Sequence, residues 1–299
     1  RKYTRMALGQ AGTAAANTAI NFTYKAEAQD IANSGWNYTS TSSFMTISFW
    51  FRCSTNQTFV AEFQSKDGTA QAFSFTFTAS GNNAWTKITK TIPGASDIQI
   101  DDDNGAGFDF RLYLFYGTNY STSGHTLEQW GAYSGSDIVP DMASTWLTAG
   151  ASTFDVTGVQ LEVGSQATAF EHRSVAEEMT HCQRYYFKVI DGQTTSETLG
   201  FAGMVWQQNN GSIISVRYPV PMRTAPTLEV TNGTQYWRHF AGNDLTTTYV
   251  DGSGVVNNIN RTYGAEIYAN CSAHTGGEGR AMFLRGNNTS SHMAYTAEL

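Results

Sequence analysis

The sequence predicts an all-β protein: an N-terminal jelly-roll or β-sandwich, a short connecting helix, and a second antiparallel β-sandwich. Three observations carry that reading. Aromatic residues are abundant, with 7 Trp and 15 Tyr, and with the many β-branched residues they suit pleated, half-buried surfaces. Short runs alternate apolar and polar residues with period two, as in Met45-Thr-Ile-Ser-Phe-Trp-Phe-Arg52. Gly, Asn and Asp clusters that favour tight turns separate those runs. At 299 residues the chain has room for two cores.

In the first half the Met45 to Arg52 run places Met45, Ile47, Phe49 and Phe51 on one face and Thr46, Ser48, Trp50 and Arg52 on the other. Further strands are expected at Thr58 to Phe63, Ala72 to Phe77, Trp85 to Thr91, Phe108 to Tyr116 and Phe154 to Val163, with turns at Asp67-Gly68, Ser80-Gly81 and Pro93-Gly94. Phe108, Phe110, Leu112, Leu114 and Tyr116 alternate in register, which predicts a central strand. Between Gly117 and Gly150 lies a long polar insertion, and loops of this length in a domain are functional or partly disordered as a rule. Large apolar rings usually pack, so Trp130, Tyr133 and Trp146 are first expected to pin it to the sandwich.

Ser174-Val-Ala-Glu177 has the spacing of a capping box and predicts a helix from Val175 to about Arg184. Val175, Met179 and Cys182 or Tyr186 fall near helical spacing and could pack between domains or subunits. Alternation returns in Gly200 to Trp206, Ser212 to Tyr218, Thr227 to Val230, Gln235 to Phe240, Ala265 to Asn270, Ala281 to Leu284 and His292 to Ala297. Turns at Asn209 to Gly211, Asn232-Gly233 and Asp251 to Gly254 separate them. The expected organisation is a jelly-roll domain over residues 1–171, a connecting helix over 172–187 and a second sandwich over 188–299.

Charge and cysteine usage exclude several classes. The net charge of −7 comes without a clustered Lys/Arg stripe, so no nucleic-acid partner is expected. No apolar run approaches the roughly 20 residues that span a bilayer, so no membrane insertion is expected and the chain reads as soluble. It opens on Arg1 without a signal-peptide core, which leaves room for a segment upstream. Cys53, Cys182 and Cys271 are odd in number and scattered, so neither a disulfide framework nor a zinc site is expected. Free thiols suit assembly in a reducing cytoplasm.

No catalytic signature is present: there is no nucleophile elbow, no HExxH, no P-loop and no dinucleotide fingerprint, and the chain reads as non-enzymatic. Asp101, Asp103 and Asn104, in the run Asp101-Asp-Asp-Asn-Gly105, are the best metal candidates, because adjacent carboxylates and an amide carbonyl are donors that calcium prefers. The run lacks the alternate spacing of an EF-hand, and turn chemistry before the Phe108 strand is the plainer reading. Sugar recognition asks for an exposed ring flanked by amides or carboxylates. The candidates are Trp36, Tyr38, Trp130, Tyr133 and Trp146 in the first half, and Trp206, Tyr236 and Trp237, beside Gln207 to Asn210, in the second.

The junction from Phe154 to Tyr186, FDVTGVQLEVGSQATAFEHRSVAEEMTHCQRYY, resembles one found in phage tail-fibre and virion-appendage proteins. In those proteins a jelly roll similar to carbohydrate-binding modules ends in a VTGVQLEVG strand, passes through FEHR and enters a helix ending CQRYY. The likeness extends through Thr46 to Arg52, Trp85-Thr-Lys, Thr91 to Gly94, Pro219 to Thr227 and Ala297-Glu-Leu299. The resemblance implies a bacteriophage structural protein, a tail fibre or a capsid or tail appendage, carried on the virion surface and assembled in the host cytoplasm. It implies other virion proteins as partners, a homotrimer, host-attachment through a host-surface or glycan-binding face, and a structural calcium in some such modules. A purely architectural adaptor or decoration protein of the virion, or a secreted carbohydrate-binding module, would suit the same composition.

Overall fold

Period-two alternation becomes a pair of facing sheets in each of two units, Arg1–His172 and Arg173–Leu299. The computed structural model describes residues 2–191, 200–207, 211–233, 236–241, 248–249, 255–270 and 279–299. Strands account for 51% of the chain and helices for 7%, which makes the protein all-β.

The first unit contains β1 (Thr4–Ala7), β2 (Ala19–Glu27), α1 (Ala28–Ala32), β3 (Phe44–Cys53), β4 (Asn56–Ser65), β5 (Gln71–Ser80), β6 (Thr86–Pro93), β7 (Ala106–Tyr116), β8 (Trp130–Ala132), α2 (Thr145–Thr148) and β9 (Thr153–Val163). One antiparallel sheet runs β1-β9-β3-β6 and the other β2-β7-β4-β5-β8. Apart from the β4–β5 hairpin, successive strands from β1 to β7 therefore cross between the sheets in the double Greek-key order of a jelly roll, with β8 added at one edge.

Phenylalanine fills the space between them. Phe49 and Phe51 of β3 meet Phe77 of β5 edge-on at 5.4 and 4.9 Å, and Phe154 of β9 sits 5.1 Å from Phe59 of β4. Edge-to-face pairs at these separations add to the burial of large apolar rings. The six strands expected in this half form, with ends shifted by a few residues. Sequence pattern did not mark β1, β2, α1, β8 or α2; β1, β8 and α2 are too short to show a period, and β2 is an edge strand whose Tyr24 is largely exposed.

The second unit contains α3 (Val175–Gln183), β10 (Tyr186–Asp191), β11 (Gly200–Gln207), β12 (Gly211–Arg217), β13 (Thr227–Val230), β14 (Trp237–Ala241), β15 (Thr248–Tyr249), β16 (Val255–Arg261), β17 (Gly264–Asn270), β18 (Ala281–Gly286) and β19 (His292–Thr296). A three-stranded sheet, β10-β19-β13, and a seven-stranded sheet, β15-β14-β18-β11-β12-β17-β16, share one core that includes Ile190, Met293 and Tyr295 from the first and Ile214, Ile267 and Leu284 from the second.

Helix α3 starts as the sequence predicts. The Ser174 hydroxyl accepts the Glu177 backbone N–H at 3.2 Å, and the Glu177 carboxylate accepts the Ser174 N–H at 2.8 Å. Two of the first-turn donors are thereby satisfied. No residue of α3 is buried within the single chain, and Val175 and Met179 are 82% and 54% exposed.

Candidate functional site

The outer face of the four-stranded sheet carries a pocket of about 290 Å³ lined by Lys2, Tyr3, Trp50, Arg52, Trp85 and Thr157. Alternation along β3 buries Phe49 and Phe51 and leaves Trp50 and Arg52 on the opposite face. Trp50 lies opposite Lys87 of β6 and Thr157 of β9, and Arg52 lies opposite Asp155 of β9. A β-bulge follows at once, where the β3 to β9 register shifts between Ser48 and Trp50 and Gly158 adopts φ +60. Glycine supplies the left-handed backbone there; a Cβ at Gly158 would only reach ordinary contact with the Trp50 ring, at 3.4 Å.

Charge organises the centre of this face. Asp155, whose side chain is 1% exposed, receives Nε and Nη2 of Arg5 at 2.7 and 2.9 Å and Nε of Arg52 at 2.7 Å. Burial alone would raise the Asp155 carboxyl; hydrogen bonds from Arg5 and Arg52 outweigh it and hold the group below its ordinary range. The Arg52 guanidinium sits against two adjoining rings, 5.0 Å from the Tyr3 centroid and 4.8 Å from that of Trp85. Tyr3 and Trp85 meet each other edge-on at 5.7 Å. Cation–π contact with both rings and an ion pair at Nε pre-set the orientation of this fork. The arrangement can receive a ring against an indole or phenol and an oxyanion against a fixed guanidinium.

A second polar cluster lies on the outer face of the five-stranded sheet. Arg111 of β7 donates to Glu62 at 3.1 Å and to Asp109 at 2.5 Å, and the Tyr113 hydroxyl donates to Glu62 at 2.7 Å. Glu62 and Asp109 are 0% and 1% exposed. Burial pushes the Glu62 carboxyl above its ordinary range, with Tyr113, Arg111 and the His125 charge opposing the shift. Val60, Tyr113, Ile138 and Val139 form a small apolar cluster beside it, so part of the long insertion packs here. These carboxylates are engaged by Arg111 and shielded from solvent, a structural arrangement that offers a substrate no approach.

Three of the aromatic platforms expected from the sequence, Trp36, Trp146 and Trp237, are core residues, which corrects that reading for those three. Trp36 is 4% exposed, packs 5.7 Å from Phe108 and donates Nε1 to the Ser43 carbonyl. Trp146 is wholly buried, its backbone N–H held by the Gln57 side chain at 2.7 Å. Trp237 is 1% exposed and donates Nε1 to the Thr231 carbonyl. Trp130 is partly buried, 5.6 Å from Phe73, with Nε1 on the Pro93 carbonyl at 2.7 Å. Tyr133 is partly buried against the Val60 cluster. Covered by the core, the rings of Trp36, Trp146 and Trp237 have no face to offer a sugar. Trp206 lies in β11, but its side chain, like Gln207 to Asn210 and Cys271, falls outside the described residues.

Nor are the calcium candidates gathered into a site. The Asp103 carboxylate accepts the Gly105 N–H at 2.8 Å, Asp102 accepts the Asn33 amide at 2.9 Å, and Asp101 donates its backbone N–H to Asp67. The Asp103 carboxylate serves a local backbone donor, and among the described residues no group of three or more His, Cys, Asp or Glu could hold a metal ion.

The pocket was only half legible in the sequence. Alternation set Trp50 and Arg52 on one face, but Tyr3 and Lys2 precede the first strand and carry no periodic signal. No protein-family model matches the chain, and no curated protein matches it.

Proposed function

We propose that this is a non-enzymatic bacteriophage virion protein, a tail fibre or capsid or tail appendage, that displays a host-surface glycan-binding face. The observation that carries the reading is the pocket of Tyr3, Trp50, Arg52 and Trp85, where aromatic rings are partly exposed beside a fixed cation on a rigid sheet. The resemblance of the Phe154 to Tyr186 junction to virion appendages supports the location on the particle.

Assembly as a homotrimer belongs to the same proposal. Val159, Leu161 and Val163 of β9 are 43%, 38% and 49% exposed, and β1 pairs with β9 only over Thr153–Val156. An apolar row along an uncovered strand edge is a surface that copies of a chain commonly bury. Light scattering should return a mass of three chains; a monomer mass overturns the trimer.

Labelled protein incubated with candidate host cells and their extracted polysaccharides should bind saturably. Binding confined to a disassembled virion fraction would instead favour a purely architectural adaptor, the role to which the exposed β9 row is suited.

A further inference from the structure

We propose that the Tyr3/Trp50/Arg52/Trp85 pocket is selective for acidic glycans, taking a sugar that carries a carboxylate or a phosphate; this rests on the host-attachment reading and names its ligand class. Arg52 carries the argument. Its Nε is committed to Asp155, while its two terminal nitrogens take no acceptor among the described residues. The guanidinium is held in place by its contacts with the adjoining Tyr3 and Trp85 rings and by the Nε ion pair to Asp155. A planar fork with one edge tethered and the other open to a pocket matches the two oxygens of an oxyanion.

The surrounding charge has the same sign. Lys2 lines the pocket and has no ion pair among the described residues, and Arg5 packs 5.3 Å from the Tyr3 ring. Lys2, Arg5 and Arg52 stand against the single carboxylate of Asp155, which is buried beneath them. This is a cationic spot on a chain of net charge −7. A neutral sugar would use the rings and leave the Arg52 fork without a partner, whereas an acidic one satisfies both. Trp50 supplies the stacking face and Thr157 a hydroxyl on the pocket wall, its Oγ1 donating to the Lys2 carbonyl at 2.8 Å.

The test compares ligands with one backbone on the full chain: cellotetraose, the corresponding tetraglucuronate, and glucose 6-phosphate against glucose, each titrated by calorimetry and by Trp fluorescence. We expect an acidic ligand to bind about 10- to 100-fold tighter than its neutral counterpart, the span of one charge-assisted hydrogen-bond pair, and to weaken as NaCl rises. Arg52→Gln should erase the preference while leaving neutral binding in place; Trp50→Ala should weaken both. Since Arg52→Gln also removes a partner of Asp155, Lys2→Gln serves as a second variant that touches no buried group and should lower only acidic-ligand affinity.

Preference for tetraglucuronate alone assigns a uronate, and preference for glucose 6-phosphate alone assigns a phosphosugar. Equal affinity for acidic and neutral ligands, or none for either, overturns the proposal. Saturable host-cell binding that survives both Trp50→Ala and Arg52→Gln would leave host attachment standing and remove this pocket from it.

Discussion

Replacing Arg111 by Ala should destabilise the first unit more than any surface substitution could. The guanidinium is the shared counter-charge of Glu62 and Asp109, two carboxylates with essentially no solvent exposure, and its own side chain is only 16% exposed. Removing one partner of a buried ion pair costs roughly 3–5 kcal/mol, because the remaining charge stays desolvated. Here two carboxylates lose the same partner, but Lys66 remains 3.3 Å from Asp109 and the Tyr113 hydroxyl remains on Glu62. A cost of about 4 kcal/mol follows, near the middle of that range. For a unit of this size it corresponds to a fall in Tm of about 8–16 °C.

Acidity supplies an internal control. Burial already holds the Glu62 pKa above its ordinary value, and loss of Arg111 removes one of the influences that oppose the rise. Between the ordinary Glu range, about 4.3, and that raised value, the folded state keeps a proton the unfolded chain has released. Stability from Glu62 is therefore present at low pH and declines as pH rises through the window. The Arg111→Ala deficit should be greatest at neutral pH and shrink on acidification toward pH about 4. Calorimetry of the full chain, resolving the two units, reads both numbers. A deficit below about 1 kcal/mol, the scale of an exposed ion pair, or one that does not shrink in acid, would refute the account.

Three further outcomes are expected. Trp146→Ala should cost about 3–5 kcal/mol by cavity formation and release the loop it anchors, seen as proteolysis between residues 117 and 150. Ser174→Ala should remove one arm of the capping box and about 1 kcal/mol from α3, with faster hydrogen exchange at the Glu177 amide. Calcium or EDTA should leave the Tm unchanged, since the carboxylates of Asp102 and Asp103 already serve turn donors; a rise with calcium would restore the metal site.

Much of the fold was legible because alternation is a local property. Met45, Ile47, Phe49 and Phe51 face inward as their spacing requires, and α3 begins at the residue its capping box names. Strand β16, reading Val-Val-Asn-Asn-Ile-Asn-Arg, escaped notice because its polar residues dilute the period, yet it pairs with β17 from Val255 to Arg261, with a register shift between Asn257 and Ile259. The site was much less legible. Trp36, Trp146 and Trp237 look in sequence like Trp50 and Trp85, and nothing local separates a ring that fills a core from one that borders a pocket.

What the sequence determined alone was therefore the all-β class, the turns at Asp67-Gly68, Ser80-Gly81 and Pro93-Gly94 in the first half, and the start of the helix, since each depends on residues within a few positions of one another. What only the tertiary structure decided was which tryptophans are covered and which cations meet an aromatic face. Arg5 reaches Asp155 across 150 positions, and Arg52 reaches it across 103. Such meetings depend on the order of strands in a sheet and on what is laid over each face, and neither is written in the period of any single strand.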